Sequence, residues 1–559
     1  MAYTIGLDFG TLSCRCVIAS TEDGSIVADA SQSYLHGVMS EYLHTSYKEL
    51  PADYALQDPS DYVASMLSAA KRAIGECGVD PSEIIGICVD FTTCTLFPVD
   101  ECNIPLCQKP EFKNEPHAYV KLWKHHAAEP YAERINSILA ASDDDRIKDF
   151  GGKVSSEWLL PKLLQVYEEA PEIYKRADLF IEAGDWIVSL LSGKRSLGYM
   201  FAAYKGLYVE GKGFFDKSLL ETFSEGFGSV IEEKYNSPVT PQGECVGRLC
   251  AEWADKLGLC EGIAIASAIP DAHVAPPALG ITEAGVVSSI FGTSACFMTV
   301  DKEYHEVPGI CGVVKDGVLP GYYGYEAGLC CYGDLFAWFC DNCVPEIYIK
   351  EAAERGIPVI ALLTEMAEAL EIGESGLIAL DWWNGNRNVL SDARLSGLII
   401  GMTLNTRPHE IFRALIEATA FATKKIFDTL EENGVKINRL HAGGGIAKKN
   451  PFAMQMLSDV LCKEIRVSSA SQIPALASAI YASVAAGKEA GGYASLTEAT
   501  EHMAAPFEVT YLPSTERHDR YMRLYNEYIT LHDLFGRGGN DVMKRLRTVS
   551  DSAKEIKKQ

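Results

Sequence analysis

Two hydrophobic rhythms alternate along the chain. Tyr3–Leu7, Cys14–Ser20 and Ser25–Ala30 are runs of β-favouring residues, separated by FGTLS and TEDG, whose Gly, Ser and Asp suit tight turns. They predict a β-meander over residues 3–34. Pro59–Cys77 switches to helical spacing, with Tyr62, Met66, Leu67 and Ala70 on one face. EIIGICVD, residues 83–90, is a short apolar run ending in polar FTTCT, the pattern of a buried strand with functional groups at its carboxyl end.

The second half repeats this grammar. Val286–Phe291 and Ala295–Val300 flank FGTSAC (291–296), a near copy of FGTLSC (9–14). His409–Glu432 keeps a helical period through Ile411, Ala414, Leu415, Ala418, Phe421 and Ala422. Arg439–Ala442 then reads as a strand running into Gly443, Gly444 and Gly445. Hairpin, helix, strand and glycine turn in each half predict two similar α/β domains facing each other, residues 1–279 and 280–559. No long Gly/Ser linker separates them, so they are expected to be closely tethered and hinged. Tyr521, Leu524, Tyr525, Tyr528 and Leu531 predict a C-terminal helix packed on the body, and residues 537–559, with seven Lys/Arg against three Asp/Glu, read as a solvated end.

At 559 residues the chain is too long for one core. A net charge of −26 argues against nucleic-acid or anionic-membrane partners, and leaves any phosphate site to local donors or a metal. The seventeen cysteines are scattered, and only Cys340 and Cys343 form a C-x-x-C pair. They read as reduced thiols of a cytoplasmic protein. The start, MAYTIGLDFG, lacks the basic region of a signal peptide, and no apolar stretch is long enough to predict a membrane span.

A glycine turn between two strands leaves backbone N–H groups facing outward, and Gly10 and Gly292 let a phosphate oxygen approach closely. Thr11, Ser13 and Thr293 add hydroxyls. One such turn is an ordinary turn; two, each opening a similar domain, suggest a grip on a triphosphate from both sides. The copies differ in one charge: Asp8 precedes the first and Ile290 the second. One carboxylate suffices to hold Mg²⁺ directly or through water. In HAGGGIAKKNPF (441–452), Gly444 and Gly445 can lie flat against a base or ribose, and Asn450 with Pro451 reads as a helix start. This run matches neither the dinucleotide fingerprint nor the P-loop pattern. IAIASAIP (263–270) reads as a strand with Asp271 at its carboxyl end, where an aspartate is also a good helix cap. Lys205 stands between apolar and aromatic neighbours, Phe201 to Tyr208, an unusual place for an idle charge.

GLDFGT (6–11), GICVDFTTCT (86–95), KPEFKNEPHAYVKLWKHH (109–126), SSEWLLPKLL (155–164), IEAGDWIVSLLSG (181–193), PDAHVAPPALGI (270–281), FGTS (291–294), GYEAG (324–328), DWWNGNR (381–387) and HAGGGIAKKN (441–450) together resemble the FGGY carbohydrate kinases, over nearly the whole chain. The resemblance implies two actin-like (ribonuclease H-like) ATPase domains around a central cleft, with a C-terminal helical tail. It implies ATP-dependent phosphorylation of a 2-ketopentose, L-ribulose foremost, at the C5 hydroxyl, as in L-arabinose catabolism, with ATP and Mg²⁺ required. By that resemblance Asp271 is the general base, Lys205 contacts the sugar or the transferred phosphate, and Glu326 accepts from a sugar hydroxyl. Thr93 and Asp90, at the end of the inferred strand, line the sugar pocket, and Asp90 suits a cap of the next turn equally well. His273 orients Asp271, and Trp123 and Trp158 either wall the sugar or serve the core. ALASAI (475–480) departs from the family pattern at Ala477, where glycine is usual, beside the nucleotide site. Thr93 stands where a smaller residue is expected.

Two rival readings remain at this level. Another FGGY kinase would act on xylulose, D-ribulose or glycerol. An actin- or chaperone-like ATPase would leave PDAH and GYEAG unexplained. Oligomeric state, a homodimer included, is open.

Overall fold

The computed structural model describes residues 1–558. The chain divides into two units, each built from separate segments: the first holds Met1–Thr282, Val314–Tyr323 and Gln472–Ala505, and the second Glu283–Val313, Gly324–Ser471 and the residues from Pro506 on.

The first unit opens with the expected meander: β1 (Tyr3–Phe9), β2 (Ser13–Ser20) and β3 (Ile26–Ser33) pair antiparallel. Helix α1 (Pro59–Glu76) begins where Asp58 accepts a hydrogen bond from the Ser60 N–H at 2.8 Å, with Pro59 in the first turn. It buries Tyr62, Met66, Ala69 and Ala70 and leaves Leu67 half-buried, against β2 and β3. Strand β4 (Ile84–Phe91) lies parallel to β1. Residues 263–270 are not one strand but two short ones, β6 (Ala264–Ala266) and β7 (Ile269–Pro270), both parallel to β4; β5 (Cys245–Arg248) flanks β6. The strand order is β5-β6-β4-β1-β2-β3, with β7 also beside β4, and α2 (Asp271–Val274) follows β7 directly. A smaller sheet joins Leu56–Gln57, Val120–Lys121, Leu96–Val99 and Leu179–Glu182.

Late in the chain, the helix Ile473–Ala486 returns to this unit and lies on β1 and β4. The approach is close enough to require glycine: a Cβ on Gly6 would overlap the Ala475 carbonyl oxygen, and one on Gly86 that of Ala482. Thr4 Oγ1 donates to the Ala479 carbonyl at 2.8 Å. The break at Thr282/Glu283 falls close to the boundary expected at 279/280, but the units are not consecutive in full, since two later segments return to the first. ALASAI, with fully buried Ala477, lies in the helix Ile473–Ala486 against the first sheet.

In the second unit, β8 (Gly285–Phe291) and β9 (Ala295–Asp301) form the second hairpin, and β10 (Tyr323–Leu329) lies beyond β9. After α3 (Pro408–Glu432) come β11 (Ile437–Gly443), α4 (Pro451–Leu461), β12 (Glu464–Ser468) and β13 (Phe507–Tyr511). The order β10-β9-β8-β11-β12-β13 repeats that of the first sheet read from β3 to β5. The senses repeat too: an antiparallel hairpin, two parallel steps, then an antiparallel edge.

Helix α3 is buried on all sides from Phe412 to Thr423, more than one stripe would predict. Its Arg413 and Glu417 form an ion pair at 2.9 Å, both side chains nearly inaccessible. Helix α5 (Thr515–Gly536) covers part of it, packing Tyr521, Tyr525 and Tyr528 edge-on or tilted around Phe421. The tail beyond it is solvated over most of its described side chains, as expected, but it is helical. Residues Val542–Lys558 form a helix, α6, because its basic groups find partners: Lys544 pairs with Asp392 at 2.8 Å, Arg547 donates to the Ala393 carbonyl at 2.7 Å, and Met543 is buried. Among the described residues no helix is long and apolar enough to cross a membrane, and no disulfide forms.

Candidate active site

Parallel strands β1, β4 and β7 bring three carboxylates together at their carboxyl ends. The register sets Asp8 opposite Asp90 and Asp90 opposite Ile269, two residues before Asp271. Asp8 and Asp90 are buried, Asp271 half-buried. Asp8 Oδ2 accepts from Arg15 Nη1 at 2.7 Å, across the hairpin. Asp90 Oδ2 accepts from the Ser478 hydroxyl at 2.6 Å, and its Oδ1 takes no hydrogen bond from the described residues. Burial, then the charge of Asp8, push Asp90 well above the usual carboxylate range. The same two causes push Asp271 up to about 7, against the pull of the Ala272 N–H and Arg15. Asp271 is the first residue of α2 rather than its cap, and its Oδ1 accepts from Ala272 N at 2.7 Å. Asp8 and Asp90 are hard carboxylates of the kind Mg²⁺ takes, and Asp90 Oδ1 is buried without a hydrogen-bond partner among the described residues; the three carboxylates do not close to within 4.8 Å of one another as a set.

The first glycine turn sits beside this cluster. Gly10 N–H donates to the Ser13 carbonyl at 3.0 Å, and Thr11 is held by Gln57 Nε2 on its carbonyl (2.7 Å) and Trp123 Nε1 on its hydroxyl (3.1 Å). At Gly10 nothing in the protein comes closer than 3.6 Å to where a Cβ would stand. Packing does not demand glycine there, whereas it does at Gly6. Thr93 lies half-buried in a loop that follows β4, between buried Thr92 and Cys94. Lys205 ends the helix Tyr199–Tyr204, buried, with Nζ 5.4 Å from the Trp158 ring centre. The charges of Lys162 and Lys205 both reach the Cys94 thiol, which burial pushes up to about 12. His273 is fully buried, its ring 4.1 Å from that of Tyr204. Arg15, Gln57, Lys162 and Ser478 are not among the residues singled out from sequence. A lysine inside the apolar run LLPKLL was the one visible signal.

In the second unit, Gly292 N–H donates to Ser294 at 3.0 Å, and the Thr293 carbonyl accepts from Tyr332 N–H at 2.8 Å. This turn is one residue shorter than the first: Phe9 pairs with Cys14, but Phe291 pairs with Ala295. Asp8 opposes Arg15, while Ile290 opposes Cys296, so the asymmetry extends from one carboxylate to a whole ion pair. The nearest atom to a Cβ on Gly292 would be 3.9 Å away, and a Cβ on Gly445 would meet nothing. Gly444 is different: φ is +93° and a Cβ would crowd the Phe291 carbonyl, tying the glycine triplet to the hairpin. Asn450 caps α4, its Oδ1 accepting from Ala453 N–H at 3.0 Å. Glu326 is buried on β10.

Residues 3–276 match the N-terminal domain, and residues 287–486 the C-terminal domain, of the FGGY family of carbohydrate kinases. The chain belongs to that family. As an FGGY kinase it is a phosphotransferase acting on a sugar hydroxyl, with ATP as the phosphoryl donor. It is 45% identical to a ribulokinase of Geobacillus thermodenitrificans, over 99% of this chain and 98% of that one. A ribulokinase of Mycolicibacterium smegmatis is 42% identical over 99% and 97%. In structure it resembles a xylulose kinase of Lactobacillus acidophilus (TM-score 0.78, 18% identity, 96% and 99% covered) and a glycerol kinase of Plasmodium falciparum (TM-score 0.73, 18% identity, 95% and 98% covered). These two likenesses carry the two-domain FGGY fold.

Proposed function

We propose that this FGGY kinase phosphorylates L-ribulose, and related 2-ketopentoses, at the C5 hydroxyl, giving ribulose 5-phosphate and ADP in L-arabinose catabolism. Full-length likeness to ribulokinases supports the substrate. The observation that carries the chemistry is Asp271, held at a strand end beside Asp8 and raised to about 7. A carboxylate there takes a hydroxyl proton near neutral pH, a contribution of ~10²–10⁴ in rate. Thr93, Asp90, Lys205 and Glu326 bind the ketopentose. In the first unit Thr11 and Ser13 donate hydrogen bonds to phosphate oxygens of ATP, which the bare Gly10 lets approach. In the second, Thr293 and Gly292 play the same two parts, while Gly444, Gly445 and Asn450 line the nucleoside. Asp8 would hold Mg²⁺; the ion supplies charge neutralisation on the phosphates when bound.

The test is an ADP-release assay over L-ribulose, D-ribulose, D-xylulose and glycerol. The highest kcat/KM is expected for L-ribulose, with measurable turnover of the other ketopentoses. ATP turnover indifferent to every sugar, or a preference for glycerol, would overturn the reading.

A further inference from the structure

A lysine with no access to solvent lies under the sugar-side loop of the first unit. Lys162 sits on the helix Leu159–Glu169 and is fully buried. Its Nζ donates to the carbonyls of Cys94 at 2.6 Å and Leu122 at 2.8 Å. Each carbonyl is one residue from a side chain already described: Cys94 follows Thr93, and Leu122 precedes Trp123. We propose that Lys162 is a positioning residue, whose two converging N–H donors fix where Thr93 and Trp123 stand and thereby set the affinity for the ketopentose.

Three features make the loop depend on this support. Cys94 has φ +52°, a left-handed conformation that non-glycine residues seldom adopt unless their surroundings impose it. The next peptide is also held from below, Thr95 N–H donating to buried Glu182 Oε2 at 3.0 Å. Inside the loop hydroxyls brace it, Thr92 Oγ1 to Thr95 Oγ1 at 2.7 Å, and its two ends are tied by Thr92 N–H to the Phe9 carbonyl (3.2 Å) and by Ala183 N–H to the Thr95 carbonyl (2.8 Å), leaving the Cys94 carbonyl at its tip to Lys162. The second carbonyl extends the effect, because Trp123 Nε1 in turn holds Thr11 of the glycine turn. An apolar side chain of equal length would fill the same space but supply neither donor. Burial pulls the Lys162 ammonium down and the Glu182 carboxyl up, and their mutual attraction works against both shifts.

The inference rests on the reading that Thr93 meets the sugar, so the experiment separates the two. Hydrogen exchange of the 92–96 peptide is measured in the full-length wild type with and without L-ribulose; protection by the sugar is expected, and its absence would sink the site reading itself. The kinetic arm uses Lys162→Met/Glu182→Gln, which removes the donors without stranding a buried charge. Its expected effect is a rise of about tenfold or more in the L-ribulose KM, the ATP KM staying within about twofold. With the wild-type loop protected, an unchanged sugar KM, or equal rises in both KM values, overturns the positioning role. Lys162→Arg, which keeps donors, is expected to recover part of the sugar affinity if the double variant folds poorly; an Arg variant as impaired as the Met variant counts against the proposal.

Discussion

Substituting asparagine at Asp271 separates charge from shape. Asn keeps the Oδ1 acceptor for the Ala272 N–H but cannot take a proton from a sugar hydroxyl, so Asp271→Asn should lose about 10²–10⁴ in kcat while folding normally. The same variant carries a stability signature. Asp271 is raised to about 7 in the fold from an unfolded value near ~4, so between those values the native state binds more protons than the unfolded one. Wild-type stability therefore falls as pH rises through this window. In metal-free buffer the variant should melt above the wild type at pH 8, and the gap should close toward pH 5. Thermal scans at both pH values check this, and a gap that widens on acidification would contradict the raised carboxyl.

Among the elements, glycines sort by what they touch. Gly86 faces the helix Ile473–Ala486 so closely that Gly86→Ala should cost about 1–3 kcal/mol in denaturant unfolding. Gly10→Ala meets only ordinary contact and should leave the melting temperature nearly unchanged while raising the ATP KM about tenfold. A stable Gly86→Ala, or a Gly10→Ala with wild-type ATP affinity, would reverse this division. The contrast also explains what could be read from the chain. Meander, helices and the strand before each glycine run were legible because their periods are local. Arg15 was not, because its pairing with Asp8 depends on hairpin register, and FGTLSC and FGTSAC look alike although their turns differ by a residue. The acids at 8, 90 and 271 were visible as strand-end residues, but their convergence rests on sheet order over more than two hundred residues. Helix α6 was hidden by a basic composition whose partners, Asp392 and the Ala393 carbonyl, lie far away in sequence.

Taken as a molecule, the chain is two repeats of one strand order, the first of which is completed by residues from the second half. A fragment ending at Thr282 would lack the helix that covers Gly6 and Gly86. It should show no cooperative unfolding transition, and adding back residues 283–559 should restore one; a cooperative transition in the fragment alone would refute the division. The feature matters beyond the test tube. As the polypeptide leaves the ribosome, the bare face of β1 and β4 waits for nearly four hundred further residues before its cover is made. Chaperone capture of the nascent chain is therefore to be expected for most of its synthesis, with native structure appearing only as translation nears its end.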